Sequence, residues 1–348
     1  MKQYTEYLKK IEDVLSKSLP ENYEPNWKKS LFASLPDCIS NKHLEPLVLP
    51  CRNLLSLGGK RWRPLFLVLA SGLATNDGTP EENSFLLTPV VEFVHTASLI
   101  HDDIEDNADM RRGKPAAHIT HGIDTAINSA SWLYFVAFDA INKFCYATQK
   151  NHLHPIMHNL LTTELRRLHL GQAMDIEWHK NNKTVPNSNE YMAMVKMKTG
   201  TLASLAGQMG LLAGGGTKEE ATTLGKIASD LGVTFQIQDD IINLTTGNKG
   251  KKRGDDIVEG KKSMPVLLHL QKTPNDFDKV MNYFEIAQKE GIDSQAVEKC
   301  IALIEKSGAL EDAAQMANKL KANAIAQIKN NWQNEKSTKA ICTLFEKL

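Results

Sequence analysis

The sequence predicts an all-helical protein, and three observations support that prediction. Segments that alternate Val, Ile and Thr with polar residues between tight turns, the pattern of β-strands, are scarce in the 348-residue chain. Proline and glycine clusters instead separate windows that could each hold a helix of about 15 residues or more. No Ser/Pro-rich linker and no short repeat divides the chain, so we expect one domain over residues 1–348.

Helical windows follow one another along the chain. Residues 1–45 are expected to form an N-terminal helical extension. Five windows then lie between proline, glycine or polar clusters: Pro89 to Pro115, Pro115 to Pro155, Pro155 to His179, Asn187 to Gly214 and Glu219 to Thr245. The fourth is interrupted at Lys198–Gly200. From Met264 onward the pattern is that of several amphipathic helices, of which Ala302–Ile328 is the clearest.

Composition limits the classes of function. Lys and Arg number 41, as do Asp and Glu, and this zero net charge argues against a nucleic-acid binder. The five Cys residues are scattered without a CxxC pair, which is typical of a reducing compartment. The N-terminus lacks the apolar core of a signal peptide, and the longest apolar stretch, Leu65–Ala74, is far below the ~20 residues of a membrane span. We therefore expect a soluble, cytoplasmic protein without a membrane span.

Two acidic pairs in apolar helical windows are the first candidates for chemistry. Asp102 and Asp106 are four residues apart, which on a helix places both carboxylates on one side, one turn apart. Asp239 and Asp240 form the second pair, with Asn243 one turn further on. Buried carboxylates are costly unless they are paired or bind a cation, and Mg2+ prefers carboxylate and phosphate oxygens. A Mg2+ site is therefore expected, with a solvated acidic helix face as the alternative.

Basic residues occur in separate clusters that could hold a phosphate-rich anion. They lie in Gly58–Pro64, Arg111–Lys114 and Lys198–Thr199, and at Lys251 and Lys261. Guanidinium and ammonium groups bind phosphate oxygens, and without net positive charge such clusters indicate a local anion pocket. Ordinary surface charge is the alternative for each cluster taken alone.

Six motifs in this order resemble the trans-isoprenyl diphosphate synthase (polyprenyl synthetase) family. They are Gly58-Gly-Lys-Arg-x-Arg-Pro64, Asp102-Asp-x-x-Asp106 with Arg111-Arg-Gly-Lys-Pro115, Lys198-Thr199, Phe235-Gln236, Asp239-Asp240 and Glu259-Gly-Lys261. The resemblance covers roughly residues 54–268, with a further likeness near 307–311 and no family signal in 1–45. It implies an all-α fold of antiparallel helices around a deep central cavity, and a homodimer.

The resemblance also implies a transferase, which joins an allylic diphosphate to isopentenyl diphosphate, head to tail, and releases pyrophosphate. Mg2+ would be held by Asp102, Asp106 and Asp239. Isopentenyl diphosphate would be bound by Lys60, Arg63, His95 and Arg112, and the allylic diphosphate by Arg111, Lys198, Thr199, Gln236, Lys251 and Lys261. Catalysis would also involve Lys198, Thr199 and Gln236, because oxygen dipoles there could face the cation left after ionisation.

Two further expectations concern the basic segments. Arg111 and Arg112 could serve different substrates because neighbours on a helix diverge by about 100°. The segment Gly247–Gly254 combines glycines with basic residues, so it is either a lid that orders over substrate phosphate or a disordered surface loop.

The small residues before the first acidic pair bear on product length. Farnesyl-producing relatives commonly place an aromatic ring at the positions of Ala97 or Ser98, which closes the cavity. Both residues are small here, so we expect a product of at least about twenty carbons, geranylgeranyl diphosphate. Phe93, Trp132 and Tyr134 are candidates for a deeper floor. A close crossing of two helices is the alternative reason for small residues.

Several rival functions remain open. A farnesyl or longer-chain synthase differs only in product. A class I terpene cyclase would need a metal-binding side chain at Gly247, and a ferritin-like protein would need a second copy of Glu92-Phe-Val-His95. A regulatory subunit of a heteromeric synthase is expected to lose metal ligands, which this chain keeps. Asn243, where many relatives have Asp, resembles the eukaryotic geranylgeranyl branch and is not expected to be a ligand.

Overall fold

Helices make up nearly all regular structure in the described part of the chain, which confirms the all-α prediction. The computed structural model describes residues 4–181, 184–247 and 252–347. The α-helices, α1 to α17 in chain order, are Thr5–Ser18, Pro25–Phe32, Asn41–Ser56, Trp62–Ser71, Thr88–Glu105, Ala117–His121, Ile123–Thr148, His154–Lys180, Ser188–Val195, Thr201–Ala213, Lys218–Thr245, Asp255–Glu259, Met264–Lys272, Phe277–Glu290, Gln295–Lys306, Ala309–Asn331 and Glu335–Glu346. Shorter helical turns lie at Glu82–Leu87, Asn151–Leu153, Lys196–Gly200 and Pro274–Asp276.

One short hairpin is the exception to the helical architecture among the described residues. Strand β1 (Met110–Arg111) pairs antiparallel with β2 (Lys114–Pro115), directly after the first acidic motif. Arg112 and Gly113 form its tip, and both have positive φ angles, 52° and 77°. The helical spacing expected for Arg111 and Arg112 is therefore wrong.

The chain forms two compact units. Unit 1 contains the residues up to Leu165, Leu202–Lys226 and the residues from Ile328 on, and unit 2 contains Arg166–Thr201 and Ile227–Gln327. The single domain expected over residues 1–348 stays a prediction. In the described chain, no helix is both long enough and apolar enough to cross a membrane.

The core of unit 1 fixes the helices that carry the first two motifs. Every residue of α4 except Arg63 is buried, as expected for a helix that is apolar all round. α4 packs against α1, α5 and α17, and the ring centroids of Phe66 and Phe345 are 4.9 Å apart. α5 in turn packs against α3 and α7. The basic loop before α4 and the acidic motif at the end of α5 are thus attached to a rigid support.

The core of unit 2 anchors the second acidic pair. Val233, Ile237 and Leu244 place one face of α11 in a hydrophobic cluster that includes Tyr191 of α9 and Phe284 of α14. Since these apolar positions flank Asp239 and Asp240 along the helix, packing fixes the direction of both carboxylates.

The predicted helix over Ala302–Ile328 is wrong as a continuous element. α15 ends at Lys306 and α16 begins at Ala309, because Gly308 adopts a left-handed φ of 74° that ends the first helix. Helices α1, α2 and the start of α3 lie within residues 1–45, and their role as an N-terminal extension of the domain stays a prediction.

Candidate active site

The first acidic motif lies at the C-terminal end of α5. The helix ends at Glu105, and the backbone N–H of Asp106 still donates to the carbonyl of Asp102 at 2.9 Å. The two residues are therefore one helical turn apart, as the spacing predicts. Asp103 between them is buried, and its Oδ2 has no hydrogen-bond partner within the described ranges.

The side chain of Arg111, in strand β1 of the hairpin, contacts this acidic motif. Its guanidinium forms a close ion pair with Asp103 and lies 3.6 Å from Asp102. Burial alone would lower the pKa of Arg111, but the adjacent carboxylates raise it. Burial also raises the pKa of Asp103, and the Arg111 guanidinium only partly opposes that effect. Among the described residues, no three His, Cys, Asp or Glu side chains converge as a ready metal site. The donors nevertheless fit Mg2+, because Asp102 and Asp106 offer two carboxylates one helical turn apart.

A cluster of cations stands beside this motif in unit 1. Arg112 donates from Nη1 to the carbonyl of Gly58, which brings the hairpin tip to the basic loop. Arg63 lies over the ring of Trp62 at 4.6 Å, and its buried Nε has no hydrogen-bond partner in the part of the chain that the structure describes. Lys60 is exposed in the same loop.

Burial lowers the pKa values of the basic groups in this cluster. Burial and the nearby Arg112 lower the pKa of Arg63 to about 10, against a partial opposing effect of Glu92. Burial and the surrounding guanidinium groups also lower the pKa of Arg112 and hold the pKa of His95 well below its usual range. His95 is therefore neutral near pH 7. An added anion would stabilise such buried cations and would offset the cost of their burial.

The interruption predicted at Lys198–Gly200 is a π-helical turn over Lys196–Gly200. Such turns are rare and occur often at functional sites. Two glycines allow its backbone to be approached closely: a Cβ at Gly171 would lie 2.4 Å from the Lys198 nitrogen, and one at Gly232 would lie 2.7 Å from the Gly200 Cα. The π turn therefore fits between α8 and α11 only because both positions lack a side chain.

Lys198 is held by a carboxylate that the sequence motifs did not reveal. Its ammonium lies 2.5 Å from Oδ2 of the buried Asp175, and His179 lies 3.0 Å from Oδ1. Burial would raise the pKa of Asp175, but Lys198 and His179 hold it far below its usual range. The available signal was the spacing of Asp175 and His179, which places both on one side of a helix.

In the second acidic pair, one carboxylate is buried and the other is exposed. Asp240 is fully buried and accepts hydrogen bonds from the Tyr191 hydroxyl, from Gln236 Nε2 at 3.1 Å and from the Met264 backbone N–H at 3.0 Å. Asp239 is exposed. Asp240 is thus occupied in holding unit 2 together, which leaves Asp239 as the better oriented metal ligand of the pair.

Lys261, Thr199 and Gln236 adjoin the same carboxylate. Lys261 lies 3.5 Å from both Asp240 and Asp256, and these charges raise its pKa well above the usual value although burial opposes them. The Thr199 hydroxyl donates to Gln236 Oε1 at 3.2 Å. The structure therefore brings together four of the unit 2 residues predicted for the site: Lys198, Thr199, Gln236 and Lys261. Lys251 lies outside the described residues, as does half of the predicted lid, residues 248–251.

Asn243 has a structural role that explains its amide. Its Oδ1 accepts from the Asp256 backbone N–H at 3.2 Å, and its own carbonyl accepts from Gly254 at 2.9 Å. The side chain is buried, so it fixes the chain at the start of α12. This placement agrees with leaving it out of the predicted ligands.

The residues predicted to set product length lie on α5 below the acidic motif. Ala97 is fully buried, and the Ser98 hydroxyl turns back to the His95 carbonyl at 2.9 Å. Phe93, one turn below Ala97, is buried. The other two floor candidates lie elsewhere: Tyr134 stacks on His101 beside the motif, at 5.7 Å, and Trp132 stacks on Phe32, at 6.1 Å. Of the three candidates, Phe93 is the one on α5 itself, one turn before Ala97.

Comparison with known proteins agrees with these features. A family model described as polyprenyl synthetase matches residues 45–304. A short chain isoprenyl diphosphate synthase from Methanocaldococcus jannaschii is 34% identical over 258 residues, 74% of this chain and 75% of that protein. A geranylgeranyl pyrophosphate synthase from Dictyostelium discoideum is 36% identical over 244 residues, 70% of this chain and 75% of that protein. The crystal structure of geranylgeranyl pyrophosphate synthetase from Pyrococcus horikoshii aligns with a TM-score of 0.80 at 26% identity, over 99% of this chain and 96% of that one.

Proposed function

This chain belongs to the polyprenyl synthetase family, and we propose that it makes geranylgeranyl diphosphate from isopentenyl diphosphate and an allylic diphosphate. It is a prenyltransferase of the short-chain trans type. In the reaction, the allylic C–O bond breaks and its electron pair leaves with pyrophosphate. The isopentenyl double bond attacks the resulting cation, and a proton is lost to the pyrophosphate as the new double bond forms. The homodimer and the cytoplasmic location stay predictions.

The observation that carries this proposal is the cluster of buried cations formed by Arg63 and Arg112, with the neutral His95 beside them. Arg63 has a buried donor without a hydrogen-bond partner in the described ranges, and burial, with a smaller contribution from Arg112, lowers its pKa to about 10. A diphosphate offers several anionic oxygens at once, so it would stabilise all three groups together. We assign isopentenyl diphosphate to this cluster, with Lys60 as its exposed fourth member.

Mg2+ would be held by Asp102, Asp106 and Asp239, which present carboxylate oxygens at the end of α5 and on α11. The bound ion supplies electrostatic stabilisation of the negative charge that develops on the departing diphosphate. Arg111, Lys198 and Lys261 would add donors to the same diphosphate, with Lys251 as a further candidate.

The residues beside Lys198 suit the cation left by ionisation. Because the Thr199 hydroxyl donates its proton to Gln236 Oε1, the lone pairs of the Thr199 oxygen remain available as acceptors. An oxygen dipole held in this way stabilises a nearby carbocation without adding a nucleophilic water. We therefore assign Lys198 to the diphosphate, and Thr199 and Gln236 to the cation.

Product analysis tests the proposal directly. The purified chain is incubated with Mg2+, isopentenyl diphosphate and farnesyl diphosphate, and the products are separated by chain length. We expect geranylgeranyl diphosphate from the wild type. Ser98→Phe or Ala97→Tyr should shorten the product to farnesyl diphosphate when geranyl diphosphate is the primer, because a ring would fill the space of the added isoprene unit.

Ser98→Ala is the matched control, since it removes the hydroxyl without adding volume and should keep the longer product. A wild type that stops at farnesyl diphosphate, or ring-bearing variants with an unchanged product, would contradict the assigned length and leave the reaction class standing. Failure of the wild type to transfer any prenyl group would contradict the function itself.

A further inference from the structure

Arg61 is a buried arginine within the basic loop of unit 1, between Lys60 and Arg63. Its side chain is 2% exposed, and its φ of 47° is left-handed. A non-glycine residue rarely adopts this conformation and needs surrounding contacts to hold it there. Arg61 is thus held in place, and it is the one cation of the loop that we do not assign to the diphosphate.

The guanidinium of Arg61 joins three helices. Its Nε donates to Glu12 Oε1 of α1 at 2.7 Å, and Nη2 donates to the Leu55 carbonyl of α3 at 2.6 Å. Its Nη1 forms a close ion pair with the buried Glu92 of α5. Burial would lower the pKa of Arg61, but the two carboxylates raise it. With every nitrogen engaged, Arg61 is built to hold structure and has little capacity left for substrate.

The same loop is held from its other end. Arg112 donates to the carbonyl of Gly58, where the backbone has a φ of 73°. Contacts therefore fix the chain at Gly58 and at Arg61, and the two assigned phosphate ligands, Lys60 and Arg63, lie within and just beyond this span. A displacement of Arg61 would move both ligands, because each is within two residues of it.

We propose that Arg61 is a positioning residue for isopentenyl diphosphate, and that Glu12 of the N-terminal helix completes this device. The inference rests on the proposed function. It gives α1, which carries no family signal in its sequence, a part in substrate affinity. Glu12 is the accessible member of the network, since its side chain is 50% exposed while that of Glu92 is 3% exposed. Substitution of Glu12 can therefore loosen Arg61 without leaving a buried charge on α5.

Glu12→Ala distinguishes positioning from simple electrostatics. Removing a carboxylate near an anion site would strengthen anion binding if only charge mattered. If Glu12 positions the loop, the variant should instead bind isopentenyl diphosphate more weakly. The KM for this substrate should rise about tenfold, the loss expected from one charge-assisted hydrogen bond. The KM of the allylic substrate and kcat should not change. Glu12→Gln keeps an acceptor for Arg61 Nε and should restore most of the affinity.

Asp13→Ala is the matched control, because Asp13 is the next residue of α1 and pairs only at the surface with Lys17, at 2.7 Å. It should leave both KM values unchanged. Calorimetric titration of isopentenyl diphosphate into each variant should show the same order of affinities without turnover. An unchanged or lower KM for isopentenyl diphosphate in Glu12→Ala, or equal rises for both substrates, would overturn the inference while an active wild type still supports the proposed function. A wild type with neither turnover nor binding would overturn both.

Discussion

The charged groups of the two units are balanced in opposite ways. In unit 1, Arg63, Arg112 and His95 all have lowered pKa values, because burial and neighbouring guanidinium groups act on each of them. In unit 2, Lys198 and Lys261 each lie against buried carboxylates, and the pKa of Lys261 is raised. The basic cluster of unit 1 therefore has buried cations that an added anion would stabilise, whereas Lys198 and Lys261 of unit 2 already have carboxylate partners.

This difference matches the two substrates. A site with excess cations can bind a diphosphate directly, as isopentenyl diphosphate requires. A site whose lysines already have carboxylate partners has less charge to offer an anion, so it depends on added cations. We therefore expect the allylic diphosphate to need Mg2+ for binding and isopentenyl diphosphate to need it much less.

Removal of a metal ligand should have the largest effect, and it should change turnover without changing the basic cluster assigned to isopentenyl diphosphate. Asp102→Ala and Asp239→Ala should each lower kcat by at least ~10²-fold, since each removes support for charge developing in the transition state. Affinity for isopentenyl diphosphate, measured by titration without primer, should stay near the wild-type value. Asp278→Ala, an exposed carboxylate of α14, is the control and should be fully active. Normal turnover by either variant would refute the metal assignment.

Apolar periodicity predicted most helices, because the periodicity of a helix depends only on the residues of that segment. The window from Glu219 to Thr245 corresponds to α11, Lys218–Thr245, since one apolar face repeats along its length. The break near Lys198 was also visible, because Lys-Thr-Gly lies inside an otherwise apolar stretch. Two errors have local causes as well. Gly308 breaks a helix that periodicity alone would continue, and the hairpin at Arg111 has strands too short to show alternation.

The candidate site was predictable only where residues form a motif. Asp102 and Asp239 were identified from spacing, but Asp175 was not, because its meaning depends on Lys198, which is 23 residues away along the chain. Glu12 was equally hidden, since its partner Arg61 is 49 residues away. Contacts of this kind depend on packing, so a single sequence does not reveal them.

Measuring the free energy of unfolding as a function of pH tests whether buried lysines of unit 2 stay charged only where carboxylates lie beside them. Lys262 is 2% exposed, and its ammonium donates to the carbonyls of Trp178 and Gly260 at 2.6 and 2.8 Å. Burial lowers the pKa of Lys262 from 10.5 to about 8, whereas nearby carboxylates raise the pKa of Lys261 beside it. Between these two values the unfolded chain holds more protons than the folded protein, so the free energy of unfolding rises with pH.

Relative to Lys262→Met, the wild type should gain on the order of 2 kcal/mol in the free energy of unfolding between about pH 7 and about pH 9.5, measured by urea denaturation. The gain should be complete only above the unfolded pKa of 10.5. Lys289→Met, on the exposed end of α14, should follow the wild-type curve. Parallel curves for the wild type and Lys262→Met would show that Lys262 stays charged when buried.

The smallest effect that we expect distinguishes the roles of Arg111 and Arg112. One of these neighbours is paired with carboxylates and the other lies among cations, which is the same contrast as between the two units. Arg111 faces Asp102 and Asp103, whereas Arg112 faces Gly58 and the cations of the basic cluster. The hairpin turns them apart, since Arg112 lies at the tip with a φ of 52°. Arg112→Ala should therefore raise KM for isopentenyl diphosphate by about tenfold, and Arg111→Ala should raise KM for the allylic primer by a similar factor.

Lysine substitutions refine this test, because an ammonium keeps the charge and loses the paired donors of a guanidinium. Arg112→Lys should recover part of the affinity for isopentenyl diphosphate, since the cluster there acts mainly through charge. Arg111→Lys should recover less for the primer, because Arg111 must also span two carboxylates, and a single ammonium cannot reproduce that fork. Equal changes of both KM values in both alanine variants would mean that the hairpin presents one shared anion site, and the assignment of separate substrates to the two arginines would be wrong.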